Sequence, residues 1–193
     1  MQEESLNRYA AVLFDFDGVL CHDRFYESAM ADEYPDACIW IEKNIFTDGE
    51  LMGKWMRGKL SSPDVNQRIA TATGLDAALL DRKLDESARQ MSLNRRCLLL
   101  IEKLKSKGLK TGIVSDNMDV FTRVIVPTNG LARYFDVIIN SADYGLLKQD
   151  LDGALFDIAA KNIGVPVART LLIDDSPGDI EVFNKKGGEG ILF

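Results

Sequence analysis

Cysteine, histidine and proline are scarce in this chain: three, one and five among 193 residues. The cysteines (Cys21, Cys38, Cys97) lie far apart, form no CxxC pair and make an odd total. This argues against a disulfide framework or a structural zinc site, and fits reduced thiols in a cytoplasmic compartment. Long apolar runs are missing as well. The longest are a few residues, against the roughly 20 that a bilayer-spanning helix needs. The opening stretch MQEESLNRYA carries two acids and no apolar run, so no signal peptide is expected there. Positive charge is also in deficit. With 23 Lys+Arg against 30 Asp+Glu the net charge is −7, which argues against non-specific binding to nucleic acid or to an anionic membrane. An anionic substrate stays open to such a chain if a metal supplies the missing charge.

What remains is ordinary globular material, 46% hydrophobic and 27% charged, enough for a core and too little net charge for disorder. Five short apolar runs have strand length and composition: Ala10–Phe14, Lys110–Val114, Val137–Ile139, Thr170–Ile173 and Gly190–Phe193. Their apolar character is continuous, as in parallel strands covered on both faces. Helical patterns alternate with them. Arg96–Lys107 places Leu98, Leu99, Ile101 and Leu104 on one side, with Gly108 as its stop. Gly153–Asn162 and Pro177–Lys185 are similar, and Ser176 is placed to cap the latter. This predicts a Rossmann-like, doubly wound parallel α/β sheet.

The stretch 21–94 breaks the alternation, for it is far longer than a crossover needs. It reads as helices over Phe25–Glu33, Ala37–Asn44, Asp48–Arg57, Pro63–Thr73 and Ala77–Met91. The expected organisation is a core of residues 1–20 and 95–193, with 21–94 inserted as a small helical lobe after the first strand. Trp40 and Trp55 fall in its apolar patterns and are expected in its core.

Ligands of open α/β sheets bind at the carboxyl ends of the strands. That rim receives Asp15 and Asp17 after the first strand, Ser115 and Asp116 after the second, Lys148 after the third, and Asp174 and Asp175 after the fourth. Crowded carboxylates resist ionisation unless a cation joins them, and oxygen ligands of this kind suit Mg²⁺. One carboxylate can then attack phosphorus while another protonates the leaving group. A metal, a lysine, a hydroxyl and backbone N–H groups meet the charge on the transferring oxygens.

Phe14–Leu20 (FDFDGVL), Ile113–Asn117 (IVSDN), Lys148 and Leu172–Ile180 (LIDDSPGDI) resemble, in order and spacing, the four motifs of the haloacid dehalogenase superfamily. The resemblance covers essentially the whole chain, and the helical lobe lies where subfamily I carries its small helical cap. It implies that Asp15 is the nucleophile and a metal ligand. Asp17 would be the general acid/base and bind metal through its carbonyl. Gly18, Ser115, Asp116, Asn117 and Lys148 would surround the phosphate. Asp174 and Asp175 would complete the Mg²⁺ shell, with Asp179 supporting them from behind. Members that break carbon–halogen bonds lack an Asp at the place of Asp17, which disfavours that reaction. Gln149 stands where the family usually has proline, leaving that loop less rigid, and Asp116 stands where it usually has Asn.

The expected function is Mg²⁺-dependent hydrolysis of a small phosphorylated metabolite, a sugar phosphate or nucleotide-like compound, by a monomer or homodimer. A phosphomutase using the same residues is the nearest alternative. A phospho-Asp signalling receiver fits less well, because its paired acids follow the first strand. A catalytically idle interaction domain would need a broken motif, and none is broken. His22 and Cys21 are expected to line the hinge, and Arg24, Lys54, Arg57 and Lys59 to lie on solvated faces or reach a second anionic group of the substrate.

Overall fold

The computed structural model describes residues 8–193; most of the acidic opening stretch lies outside them. Five parallel strands form one sheet, β1 (Ala11–Phe14), β2 (Lys110–Ser115), β3 (Val137–Asn140), β4 (Thr170–Asp174) and β5 (Glu189–Leu192), in the order β3-β2-β1-β4-β5. The Rossmann-like α/β sheet expected from the five apolar runs is the observed one. In β1 every residue is buried, which explains why its sequence does not alternate. The strand is central, and each of its faces meets a different cluster.

On one face Val12 and Phe14 join Ile113, Phe121 and Ile101 in the larger cluster, which runs on without a break into the helical stretch through Trp55, Ile69 and Leu84. On the other, Ala11 and Leu13 pack with Leu155, Phe156 and Phe183. Burial of a Phe14-sized side chain is worth about 1.5–3 kcal/mol, so this strand is fixed before any site chemistry is considered.

The helices between β1 and β2 are α1 (Glu27–Met30), α2 (Pro35–Ile41), α3 (Gly49–Trp55), α4 (Ser62–Thr73), α5 (Ala77–Gln90) and α6 (Arg95–Ser106). Local chemistry sets several of their starts. Asp48 accepts from the N–H groups of Glu50 and Leu51. Ser61 and Asp64 form a reciprocal capping box with Pro63 in the first turn, and Asn94 caps α6. Chain reversal at Gly74 uses a left-handed φ of +75°, a conformation that favours glycine.

Several boundaries differ from the sequence reading. Phe25–Glu33 shrinks to the single turn of α1, because Tyr26 sits at φ +67°, its N–H held by Ser87 Oγ at 2.9 Å and its hydroxyl donating to Asn66 Oδ1 at 2.6 Å. After α2 the helix widens into a π-type turn over Glu42–Phe46. In α6 the inward residues are Cys97, Ile101 and Leu104, whereas Leu99, expected beside them, is 58% exposed. The helical turns Phe121–Thr128 and Ser141–Tyr144 were not anticipated. Trp55 is wholly buried, while Trp40 is only half-buried against the same cluster.

Beyond β3 come α7 (Ala154–Ile163) and, after β4, α8 (Pro177–Lys185). Ser176 accepts from the N–H of Asp179 at the start of α8, as its position suggested. Among the described residues no helix is long and apolar enough to cross a membrane.

Candidate active site

The carboxyl ends of β1, β2 and β4 bring the sequence-selected acids together. Asp15 follows β1 directly; its N–H donates to Ile173 O of β4 at 2.9 Å, and its Oδ1 accepts from Phe16 N–H at 2.7 Å. The next turn brings the chain back on itself, Gly18 N–H donating to Cys21 O at 2.8 Å. Gly18 has φ +75°, and a Cβ there would stand 1.9 Å from Asp175 Oδ2. Glycine is therefore required twice, by conformation and by the approach of Asp175. Ligand atoms of Asp15, Asp174 and Asp175 lie within 4.8 Å of one another, with Asp15 and Asp174 buried and Asp175 exposed.

Lys148 is the counter-charge. It is 1% exposed, and its Nζ lies 3.1 Å from Asp15 Oδ2, 2.7 Å from Asp174 Oδ2 and 2.8 Å from Asp179 Oδ2. Burial alone would lower its pKa, but the carboxylates of Asp15, Asp174 and Asp179 outweigh burial and hold it well above the ordinary lysine value. One ammonium does not neutralise the whole rim. Burial, reinforced by Asp15 and Asp175, pushes Asp17 up to about 7. Burial also raises Asp116 to about 7 and, with Asp15 adding to it, Asp174 to about 6. Asp15 itself is raised by burial despite Lys148. Asp15 and Asp174, buried and resisting ionisation, bring their oxygens within 4.8 Å of each other and of Asp175, a donor set that fits a hard divalent cation.

The remaining selected residues are placed as follows. The Ser115 hydroxyl is buried against the Asp15 carboxyl, which it helps to hold ionised, without completing a hydrogen bond. The Asp116 carboxyl accepts from Lys148 N–H at 2.9 Å. Asn117, expected around the phosphate, donates through Nδ2 to Asp17 Oδ2 at 2.8 Å, and its N–H is taken by Ser141 Oγ. Asp179 lies behind Lys148, and its other oxygen accepts from Gln149 Nε2 at 2.8 Å. The glutamine, expected to leave its loop less rigid than proline would, thus ties that loop to α8. A Cβ on Gly178 would meet its amide nitrogen at 2.7 Å, so that glycine makes room for it.

Sequence reasoning passed over Asp119, Ser141 and Asp150. Asp119 Oδ1 accepts from Trp55 Nε1, Ser62 N–H and Ser62 Oγ at 3.1, 3.1 and 2.6 Å, and Ser141 Oγ donates to Met56 O at 2.6 Å. Only Asp119, two residues after the second rim motif, carried any signal. A cleft of about 370 Å³ opens beside Asp17, Gly18 and Asp116 and runs under the helical segment, past His22 and Arg24, to Met52 and Met56. Arg24 is paired with Glu42 at 3.0 Å and Lys54 with Glu50. Cys21 lines the cleft as a neutral thiol, raised to about 11 chiefly by burial.

The Rossmann-like parallel sheet thus gathers the acids and the buried lysine at the carboxyl edge, where the four motifs imply a phosphoryl-transfer site. The chain belongs to the haloacid dehalogenase-like hydrolases, whose family model matches residues 9–185. It is 27% identical over 180 residues to the chloroplastic protein Suppressor of quenching 1 of Arabidopsis thaliana, covering 90% of this chain and 17% of that protein. It is 28% identical over 154 residues to a phosphoserine phosphatase of Streptomyces coelicolor, covering 75% and 36%. The matched stretch thus spans well under two thirds of either relative. Its fold matches a haloacid dehalogenase family enzyme from Bacteroides thetaiotaomicron, solved with magnesium and inorganic phosphate, at TM-score 0.74 and 18% identity over 95% of this chain and 93% of that one.

Proposed function

We propose that this hydrolase is a Mg²⁺-dependent phosphatase of a small phosphorylated metabolite, working through phospho-Asp15 in the cytoplasm. The observation that carries the reading is the buried Ser115 hydroxyl, which sits against the Asp15 carboxyl without completing a hydrogen bond, next to the Asp15–Lys148 pair. A hydroxyl so placed can donate to an oxygen of a phosphoryl group carried on Asp15. The phosphoserine phosphatase relative and the structural match solved with magnesium and inorganic phosphate support the same chemistry.

In this reading a carboxylate oxygen of Asp15 attacks phosphorus as the bond from phosphorus to the leaving oxygen breaks. Asp17, held by Asn117 and protonated near neutrality, gives that oxygen its proton. Asp17 then takes a proton from the water that attacks phospho-Asp15, restoring the carboxylate and releasing inorganic phosphate. Ser115, the N–H of Asp116 and Lys148 hold the phosphoryl oxygens, with Gly18 leaving room at the nucleophile loop. Mg²⁺, held by Asp15, Asp174, Asp175 and the carbonyl of Asp17, would supply positive charge to those oxygens when bound. Residues 21–94 act as the cap over a core of 1–20 and 95–193, and a cleft of about 370 Å³ between the acidic rim and Met52 and Met56 suits a small substrate better than a phosphoprotein.

The test is phosphate release from an aryl phosphate with Mg²⁺, with excess chelator, and by Asp15→Asn. Metal-dependent turnover that the substitution abolishes is the expected result. Folded protein that binds Mg²⁺ but releases phosphate from no member of a phosphomonoester panel would overturn the reading.

A further inference from the structure

Arg57, expected on a solvated face or near a second anionic group of the substrate, does something else. It lies just past the end of α3, and its guanidinium grips Asp150 with both arms, Nε to Oδ2 and Nη2 to Oδ1, each at 2.7 Å. A third donor, Nη1, returns to Gly53 O at 3.0 Å, so the side chain is fixed from its own helix outward. Both partners are about three-quarters shielded from solvent, and the paired geometry is the one in which arginine differs most from lysine.

Asp150 is not an inert partner. Its Oδ2 also accepts from Leu147 N–H at 2.9 Å, so one carboxylate closes the turn Leu147–Asp150 that presents Lys148. The next amide, Lys148 N–H, is held by Asp116 Oδ1, and the lysine Nζ then reaches Asp15, Asp174 and Asp179. Around this grip the two parts of the chain meet closely. Ser141 Oγ donates to Met56 O at 2.6 Å, and a Cβ on Gly58 would meet Ala142 O at 2.6 Å. The end of α3 is therefore docked on the loop that carries the lysine, while Met52 and Met56 of the same segment wall the cleft.

We infer that Arg57 is a positioning residue for Lys148: through Asp150 it fixes the Leu147–Asp150 turn, so that docking of the helical segment and placement of the lysine are one event. Catalytic work by Lys148 rests on the phosphatase reading; the structural coupling does not. The test compares wild type, Arg57→Lys and Arg57→Ala by two readouts. The first is amide hydrogen exchange at Leu147 and Lys148, with Ile113 of β2 as the internal control for global opening. Arg57→Ala is expected to speed exchange at both turn amides by about tenfold or more while Ile113 is unchanged. The second is steady-state aryl phosphate hydrolysis with Mg²⁺. Arg57→Ala should lower kcat by about 10- to 100-fold with KM within about twofold, and Arg57→Lys should recover part of the loss.

Unchanged exchange at Leu147 and Lys148 would overturn the coupling, and so would equal acceleration at Ile113, which would make Arg57 a general stabiliser. A raised KM with kcat intact would overturn it too, placing Arg57 on the substrate. Wild-type protein inactive throughout would instead remove the phosphatase reading, and exchange alone would decide the coupling.

Discussion

Asp17 shows how one residue carries opposed demands. Its pKa is raised by burial first, then by Asp15 and Asp175, from 3.8 to about 7, so the folded protein holds a proton that the unfolded chain releases. The stability this contributes is complete below about pH 3.8 and is lost as pH rises through about 7. Asp17→Asn removes the ionisation and should stabilise the metal-free protein at pH 8 by on the order of 1–2 kcal/mol, with no gain at pH 4, as urea melts at the two pH values will report. The same substitution should cut turnover of alkyl phosphates far more than that of nitrophenyl phosphate, whose leaving group needs little protonation. The carboxylates and Lys148 were legible because strand-end position and charge are visible in the sequence. The Asn117 amide turned on Asp17 was not, since only side-chain geometry distinguishes it from a phosphate contact.

Single elements were readable in proportion to how local their causes are. Strands such as β1 announced themselves by continuous apolar residues, and α8 by Ser176 at its start and Pro177 in its first turn. The start of α1 was misjudged because its cause is distant: Tyr26 is pinned at positive φ by Ser87 and Asn66. The junction of α3 and α4 with the sheet has the same character. Three donors from Trp55 and Ser62 converge on one oxygen of Asp119, an arrangement that no local spacing reveals. Asp119→Ala leaves the Ser62 N–H and hydroxyl without their acceptor, and Trp55 Nε1 with only the longer contact to Ser62 Oγ at 3.3 Å. It is expected to cost about 2–3 kcal/mol in urea unfolding, and Asp119→Asn less, because the amide keeps an oxygen in place.

For the molecule as a whole, the acidic rim and the net charge of −7 point the same way: a bound cation should stabilise the folded state. Added Mg²⁺ is expected to raise the melting temperature progressively, reaching about 2.7 kcal/mol of added stability at a hundred times its dissociation constant. Asp174→Asn should blunt that response, since it removes a member of the acidic cluster. The Rossmann-like sheet order was legible as a class, whereas the docking of α3 on the Lys148 turn depends on contacts between residues far apart in the chain, Arg57 with Asp150 foremost.

The two tryptophans divide unequally across this arrangement, Trp55 being wholly enclosed at the junction with its N–H on Asp119 and Trp40 half-buried away from it. Trp55 is thus a built-in optical gauge of the junction. Its emission should be blue and poorly quenched by iodide while the segments are docked, and should shift red when Asp119→Ala loosens them, with Trp40→Phe removing the constant background.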